Sequence, residues 1–378
     1  MLTILADENI PLVHTLFSQL GTVTTMPGRA IRSRHLVGVD ILLVRSVTKV
    51  NSDLLQGSTV KFVGSCTIGK DHLDIGYLEQ MKIGWANAPG CNANAVVQYV
   101  FSAMATLVPD WSEQVVGIIG CGNVGSRLLH CLRGMGIKCV CYDPLINQDD
   151  EPELTTLTEV LTADIISFHT PLTTTNSFPT YHLLGEHELA QLKAGTLLIN
   201  TSRGAVIDNA ALLRLLQQHQ AFKVVLDVWE GEPDINLELL ARVDIGTPHI
   251  AGHTLEGKQQ GCVQVYRALD QYLTGDSGAR SAHFTGLARE NPKKKLTLNK
   301  ENDVHAQRNA VLLAAYKIND DNQQLRQWDS QQQKPMSDFF DQLRKNYPIR
   351  RDYSHCVLPD WLEKTPHKDF LAGLGFVD

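Results

Sequence analysis

The sequence predicts an α/β protein built from two doubly wound parallel sheets and followed by an α+β tail. Three observations predict it. Short apolar runs alternate with helical patterns from residue 2 to 87 and again from 115 to 246, and such alternation covers both faces of a parallel sheet with helices. The second series begins with VVGIIGCGNVGSRLLHCLRGMGIKCVCYD at 115 to 143, one complete passage of strand, glycine loop, helix and strand. From about His283 the composition turns polar. A length of 378 residues suits two or three cores.

In the first series, 2 to 6, 41 to 44, 61 to 64 and 83 to 87 read as strands, with helical stretches at 12 to 20, 52 to 55 and 75 to 81. A long helix over 90 to 108, capped by Asn92 or Asn94, is expected to connect the two sheets. In the second series the helix after the glycine loop carries Val124, Leu128, Leu132 and Met135 at helical spacing and stops at Gly136. Strands follow at 138 to 142, 165 to 169, 196 to 200, 223 to 226 and 243 to 246, separated by helices at 157 to 161, 186 to 191 and 209 to 218.

Gly120, Gly122 and Gly125 form G-x-G-x-x-G. Each has a mechanical part: the first allows a tight turn, the second lets a pyrophosphate approach the backbone, and the third lets helix and strand pack closely. The phosphates would meet unpaired N–H groups at a helix N-terminus. Asp143 closes the next strand, where a carboxylate accepts from ribose hydroxyls and repels a 2′-phosphate, which favours NAD over NADP. In open sheets ligands sit beyond the carboxyl ends of strands. At those ends lie Arg45-Ser46 and the run 64 to 69, suited to an anion or to ordinary turns, and then NTSRG from 200, DVWEGEP from 227 and TPHIAG from 247.

The glycine motif, NTSRGAVID, DVWEGEP and TPHIAG together resemble the D-isomer-specific 2-hydroxyacid dehydrogenases over roughly residues 1 to 280. ADENIP at 6 to 11, VRSVTKVN at 44 to 51, GSCTIGKDHLD at 64 to 74, APGCNA at 88 to 93 and the long tail resemble one branch of that family. The resemblance implies NAD-dependent oxidation of 4-phospho-D-erythronate to 2-oxo-3-hydroxy-4-phosphonooxybutanoate in pyridoxal phosphate biosynthesis. It implies a flavodoxin-like substrate domain (1 to 92 and 257 to 283), a Rossmann NAD domain (93 to 256), a cleft between them, and a dimerisation domain (284 to 378) that makes the protein a homodimer. Cofactor contacts fall to Gly120, Gly122, Asn123, Val124, Gly125, Asp143, Thr170, Thr201, Ser202, Arg203, Asp227 and Gly252. Substrate contacts fall to Ser46, Thr67 and His253, and catalysis to Arg203, Glu232 and His249. The chain departs from the branch at His253, usually tyrosine, and Gln98, usually glutamate.

The three residues suit the chemistry. Oxidising a 2-hydroxy acid needs a base for the hydroxyl proton, and histidine titrates near working pH. A glutamate on the far ring nitrogen would fix the tautomer and stabilise the imidazolium. The planar fork of Arg203 matches a carboxylate and can polarise the C2 oxygen. Singly, each reads as a surface histidine, an ion-pair partner or a turn residue; their common placement at strand ends is what argues for a site.

Composition limits the alternatives. Hydrophobic residues at 43%, charged residues at 20% and a net charge of −7 describe an ordinary globular chain without a basic face for nucleic acid. No apolar run reaches the roughly 18 residues of a membrane span, and MLTILADENI lacks the pattern of a signal peptide, so the expectation is cytoplasmic. Eight cysteines without C-x-x-C spacing read as free thiols, and no metal is expected. In the tail, Pro292-Lys293-Lys294-Lys295 reads as a linker or an exposed loop, and 304 to 316 and 339 to 347 as apolar-patterned segments. Arg350 and Arg351 read as a solvated pair, or as charges near a partner's active site. Two other functions share the pattern: a phosphoglycerate or other 2-hydroxyacid dehydrogenase, and an NAD-sensing scaffold of corepressor type.

Overall fold

The computed structural model describes residues 1–147, 151, 153–175, 177–218, 221–275, 292–301, 303–329, 334–362 and 368–376. The expected end of the substrate domain at 276 to 283 and the expected composition boundary at His283 lie outside the described residues. The chain divides into two compact units, Met1–Asn92 with Thr254–Pro292, and Ala93–His253 with Lys293–Asp378.

The first unit holds a five-stranded parallel sheet of β1 (Leu2–Asp7), β2 (Gly21–Met26), β3 (Ile41–Val44), β4 (Phe62–Ser65) and β5 (Gly84–Ala86), in the order β2-β1-β3-β4-β5. That is the flavodoxin-like order. Two elements escape the sequence patterns. β2, GTVTTM, pairs residue for residue with β1 as an edge strand, and its threonines hide it from a search for apolar runs. The helix Leu255–Thr274 begins at Thr254, whose hydroxyl accepts from the Gly257 N–H, and puts Cys262, Val265, Tyr266 and Leu269 into the core of this sheet. The helix expected over 12 to 20 is the shorter Val13–Phe17.

The second unit holds β6 (Val116–Ile119), β7 (Cys139–Tyr142), β8 (Ile165–Phe168), β9 (Leu197–Asn200), β10 (Lys223–Leu226) and β11 (Ile245–Gly246), in the order β11-β10-β9-β8-β6-β7. Leu154 adds a single parallel bridge on the outer side of β7, at Cys141. With it the order becomes that of a dinucleotide-binding sheet, and the strand direction of travel reverses between β6 and β8. All residues of β6, β8 and β9 are buried, as expected of parallel strands covered on both faces.

The expected connecting helix is Ala93–Leu107, and it is core rather than connector. Nearly every side chain from Ala95 to Ala105 is buried, because Ile199 and Val225 of the sheet and Val311, Leu312 and Ala315 of the tail all join its cluster. The tail contributes the helices Val304–Ala315, Ile318–Leu325, Met336–Lys345 and Lys368–Leu374. A two-stranded parallel ribbon pairs β12 (Lys294–Lys295) with β13 (Cys356–Val357), so two lysines of the run are exposed on a short strand rather than in a linker or loop. The tail's apolar residues complete the two clusters of the dinucleotide-type sheet. Among the described residues no helix is long and apolar enough to cross a membrane.

Candidate active site

The glycine loop leaves β6 and enters the helix Asn123–Gly134. Gly120 has φ +91°, a turn that side chains resist. A Cβ on Gly125 would lie 1.9 Å from the Gly120 carbonyl oxygen, so only glycine lets the helix come this close to the strand. A Cβ on Gly122 would meet nothing within 4 Å, which leaves the space over the helix end open. Among the described residues no side chain caps this N-terminus, so the first N–H groups, at Asn123 and Val124 among them, remain available to an anion. Gly136, at φ +70°, follows the helix end.

Two further groups frame this opening. Asp143 accepts from the Cys121 N–H at 2.9 Å through Oδ2 and from the Leu145 N–H at 3.0 Å through Oδ1, and each oxygen keeps a lone pair for a ribose. Thr170, just after β8, packs its methyl toward Gly120, and its buried hydroxyl has no hydrogen-bond partner among the described residues. A buried hydroxyl without a partner, open space over a bare helix end and a carboxylate one strand away fit an adenine dinucleotide.

Three later strands of the same sheet bring the polar loops to the same edge. After β9, Asn200 accepts from the N–H and the hydroxyl of Ser202 and donates to the Arg203 carbonyl at 3.0 Å, which shapes the turn that carries Arg203. The Arg203 guanidinium donates to the Ser202 carbonyl at 2.7 Å. A Cβ on Gly204 would fall 1.9 Å from the Trp229 carbonyl carbon. The loop with Arg203 and the loop with Glu232 therefore touch backbone to backbone, which no other residue at 204 permits.

After β10 and β11, Glu232 Oε2 lies 2.7 Å from His249 Nδ1, and Oε1 accepts from the Trp229 N–H at 2.7 Å. Burial alone would raise the Glu232 carboxyl, but the charge and hydrogen bond of His249, the Trp229 N–H and the Arg344 charge hold it below the usual carboxylate range. An ionised carboxylate only accepts, so Nδ1 carries a proton, and in the neutral ring Nε2 then presents its lone pair. His249 itself sits at φ +55°, a conformation that non-glycine residues hold only where surroundings enforce it.

Asp227 does the enforcing. It is buried, its carbonyl accepts from the His249 N–H at 2.8 Å, and its carboxylate accepts from the Thr247 hydroxyl and from the N–H groups of Ile250 and Ala251 at 2.7 to 2.9 Å. Burial pushes this carboxyl above the ordinary range, against the pull of His249 and of those bonds. Tyr99 donates to the Thr247 hydroxyl at 2.7 Å and Trp229 to the Thr247 carbonyl at 3.0 Å. These supports carry no local signature, because each partner comes from a distant segment. No sequence pattern points to His169 either. It contacts the Ser167 and Thr201 hydroxyls at 3.0 and 3.2 Å, and burial pushes its pKa down to about 3, so it braces Thr201 as a neutral ring.

The remaining expected residues are placed as follows. Gly252 and His253 end the same turn, and the His253 ring lies 5.7 Å from that of Tyr347. Gln98 is buried in its helix and donates to the Arg351 carbonyl at 3.0 Å. Ser46 and Thr67 belong to the first unit, at the carboxyl edge of its sheet. Ser46 is exposed; Thr67 shares a hydroxyl network with Ser65, which also meets His72 Nε2 at 2.9 Å. Among the described residues one group of potential metal ligands occurs, His182 with Asp208 and Glu230. His182 Nε2 lies 3.0 Å from Glu230 Oε1, and Nδ1 lies 3.8 Å from Asp208 Oδ2.

Residues 92–251 match the family model described as D-isomer specific 2-hydroxyacid dehydrogenase, NAD binding domain. The chain is 44% identical over 376 residues to the erythronate-4-phosphate dehydrogenase of Cellvibrio japonicus, covering 99% of both chains. The chain belongs to the D-isomer-specific 2-hydroxyacid dehydrogenase family. It is also 46% identical to the erythronate-4-phosphate dehydrogenase of Teredinibacter turnerae, over 94% of both chains. A D-lactate dehydrogenase from Aquifex aeolicus, solved with NAD and lactic acid, is 25% identical at a TM-score of 0.63 over 72% of this chain and 96% of that one. The NAD-bound 3-phosphoglycerate dehydrogenase of Entamoeba histolytica shares the fold at a TM-score of 0.64 over 74% of this chain and 98% of that one. Residues 288–375 match a domain family of unknown function.

Proposed function

We propose that the chain oxidises 4-phospho-D-erythronate at C2 with NAD, forming 2-oxo-3-hydroxy-4-phosphonooxybutanoate for pyridoxal 5′-phosphate synthesis. The observation that carries the reading is the 2.7 Å pairing of His249 with Glu232 at the sheet edge that also bears the glycine loop. Near-full-length identity to erythronate-4-phosphate dehydrogenases supports the substrate. NAD, held by the glycine loop, Asp143 and Thr170, supplies a hydride acceptor when bound. His249 Nε2 takes the C2 hydroxyl proton, and Glu232 stabilises the imidazolium that forms. Arg203 holds the substrate carboxylate. Ser46, Thr67 and His253 are assigned to the substrate's remaining anionic and hydroxyl groups. We further assign the protein to the cytoplasm, as a homodimer formed through the tail from 284 to 378.

The test is single-turnover reduction of NAD, read at the NADH absorbance, with 4-phosphoerythronate and 3-phosphoglycerate offered separately to the wild type and to His249→Ala. Reduction by the erythronate compound alone, abolished in the variant, supports substrate and base together. Reduction by phosphoglycerate alone overturns the substrate, and an unimpaired His249→Ala overturns the base.

A further inference from the structure

Arg350 is not the solvated charge that its neighbourhood in the sequence suggests. It is 6% exposed, and Arg351 beside it 7%. Its guanidinium carbon lies 4.3 Å from the ring centre of Tyr316 and 6.0 Å from that of Tyr347. Both tyrosine hydroxyls donate to the same Asp321 oxygen at 2.7 Å, so the aromatic box around the cation is itself fixed. One nitrogen, Nη2, donates to the carbonyl of Ala251 and, at 3.3 Å, to that of Ala95; Nε and Nη1 are buried without a hydrogen-bond partner among the described residues.

A buried cation with part of its donors unused is a poor way to stabilise a fold, since an apolar side chain of the same volume avoids the desolvation cost. What the guanidinium does reach is specific. Ala251 lies two residues beyond His249, and its N–H is already held by Asp227. With Arg350 on its carbonyl, Ala251 is held at both of its backbone polar groups. We propose that Arg350 is a positioning residue for the reaction, fixing the Ala251 carbonyl so that the turn 247–252 keeps His249 at its left-handed φ and in line with Glu232. The tail thereby contributes to catalysis within its own chain, through backbone rather than through contact with substrate. This rests on the reading of His249 as the base.

The experiment compares Arg350→Met, which keeps bulk without a donor, with Arg350→Lys, which keeps one donor within reach of the carbonyl. Three quantities are measured: the thermal midpoint, the NADH dissociation constant, and kcat with 4-phosphoerythronate. A turn displaced by a fraction of an ångström should lower kcat in Arg350→Met by roughly 10- to 100-fold, with NADH affinity falling far less because the glycine loop is untouched. Arg350→Lys should recover most of kcat. A folded Arg350→Met with wild-type kcat overturns the proposal, as does a parallel fall of stability, NADH affinity and kcat that lysine does not relieve. A second arm needs no turnover, so a wrong substrate leaves it readable. The Nδ1 proton resonance of His249 in ¹⁵N-histidine-labelled protein should move or broaden in Arg350→Met and stay in Arg350→Lys. An unmoved resonance in folded Arg350→Met overturns the proposal independently.

Discussion

Replacing Glu232 by glutamine should harm the enzyme more than replacing it by alanine. One carboxylate oxygen accepts from the Trp229 N–H and the other faces His249 Nδ1, each at 2.7 Å. Glutamine has to keep its carbonyl on the Trp229 N–H, because its amide nitrogen there would confront a donor. The amide then points at Nδ1 and donates to it, which drives the imidazole proton to Nε2 and removes the base. General-base help is worth roughly 10² to 10⁴ in rate, or about 3 to 5 kcal/mol. Alanine removes one charge-assisted hydrogen bond, roughly 1.5 to 3 kcal/mol, and leaves the ring free to choose its tautomer, for a loss of about 10- to 150-fold. The assay is NADH formation at saturating 4-phosphoerythronate, with NADH binding measured in parallel to show that the glycine loop is intact. A glutamine variant faster than the alanine variant, or one retaining more than about a tenth of wild-type kcat, would refute the tautomer argument.

Three other perturbations separate folding from binding. Gly122→Ala adds a methyl where nothing lies within 4 Å, so the melting midpoint should hold while NADH binds roughly tenfold more weakly or worse; Gly125→Ala drives a Cβ into the Gly120 carbonyl and should cost at least about 1 to 3 kcal/mol in urea denaturation. Gly204→Ala should separate the loops of Arg203 and Glu232, lowering kcat far more than NADH affinity, as steady-state kinetics and a binding titration would show. His169 stays neutral in the fold down to about pH 3, whereas an unfolded histidine takes its proton near 6.5. Its contribution to stability is therefore whole above 6.5 and is lost as pH falls from 6.5 toward 3. His169→Gln should flatten that part of the decline, measured as the urea midpoint at about pH 7 against about pH 4.

What was legible in the sequence is what depends on neighbours along the chain. The three glycines carry separate geometric demands a few residues apart, and an apolar strand announces the loop that follows it, so DVWEGEP and TPHIAG could be placed at strand ends, while the choice of Glu232 and His249 within them comes from the family resemblance. β2 stayed hidden because it is an edge strand rich in threonine, recognisable only through its register with β1. Arg350 reads as solvated surface for the opposite reason. An arginine pair in a polar segment has the composition of surface, and only the arrival of Tyr316, Tyr347 and the turn at Ala251 makes the place an interior. The helix Ala93–Leu107 read as a connector because the tail helices that bury its far side begin some two hundred residues later.

The two acids of the site, Asp227 buried and Glu232 half-buried, are pushed in opposite directions, and that difference assigns their work. Asp227 sits beneath the turn, where burial raises its carboxyl, and its bonds go to backbone N–H groups and to Thr247. Glu232 faces the imidazole directly and is held low by it. When His249 gains a proton, the new positive charge therefore finds its compensating charge at Glu232, 2.7 Å away, while Asp227 acts on the geometry of the turn. Were the two exchanged, a carboxyl with a raised pKa would stand on Nδ1 and could donate to it, holding the ring in the tautomer that cannot accept the substrate's proton. The site works as a base because the acid that meets the ring is the one whose proton is hardest to keep.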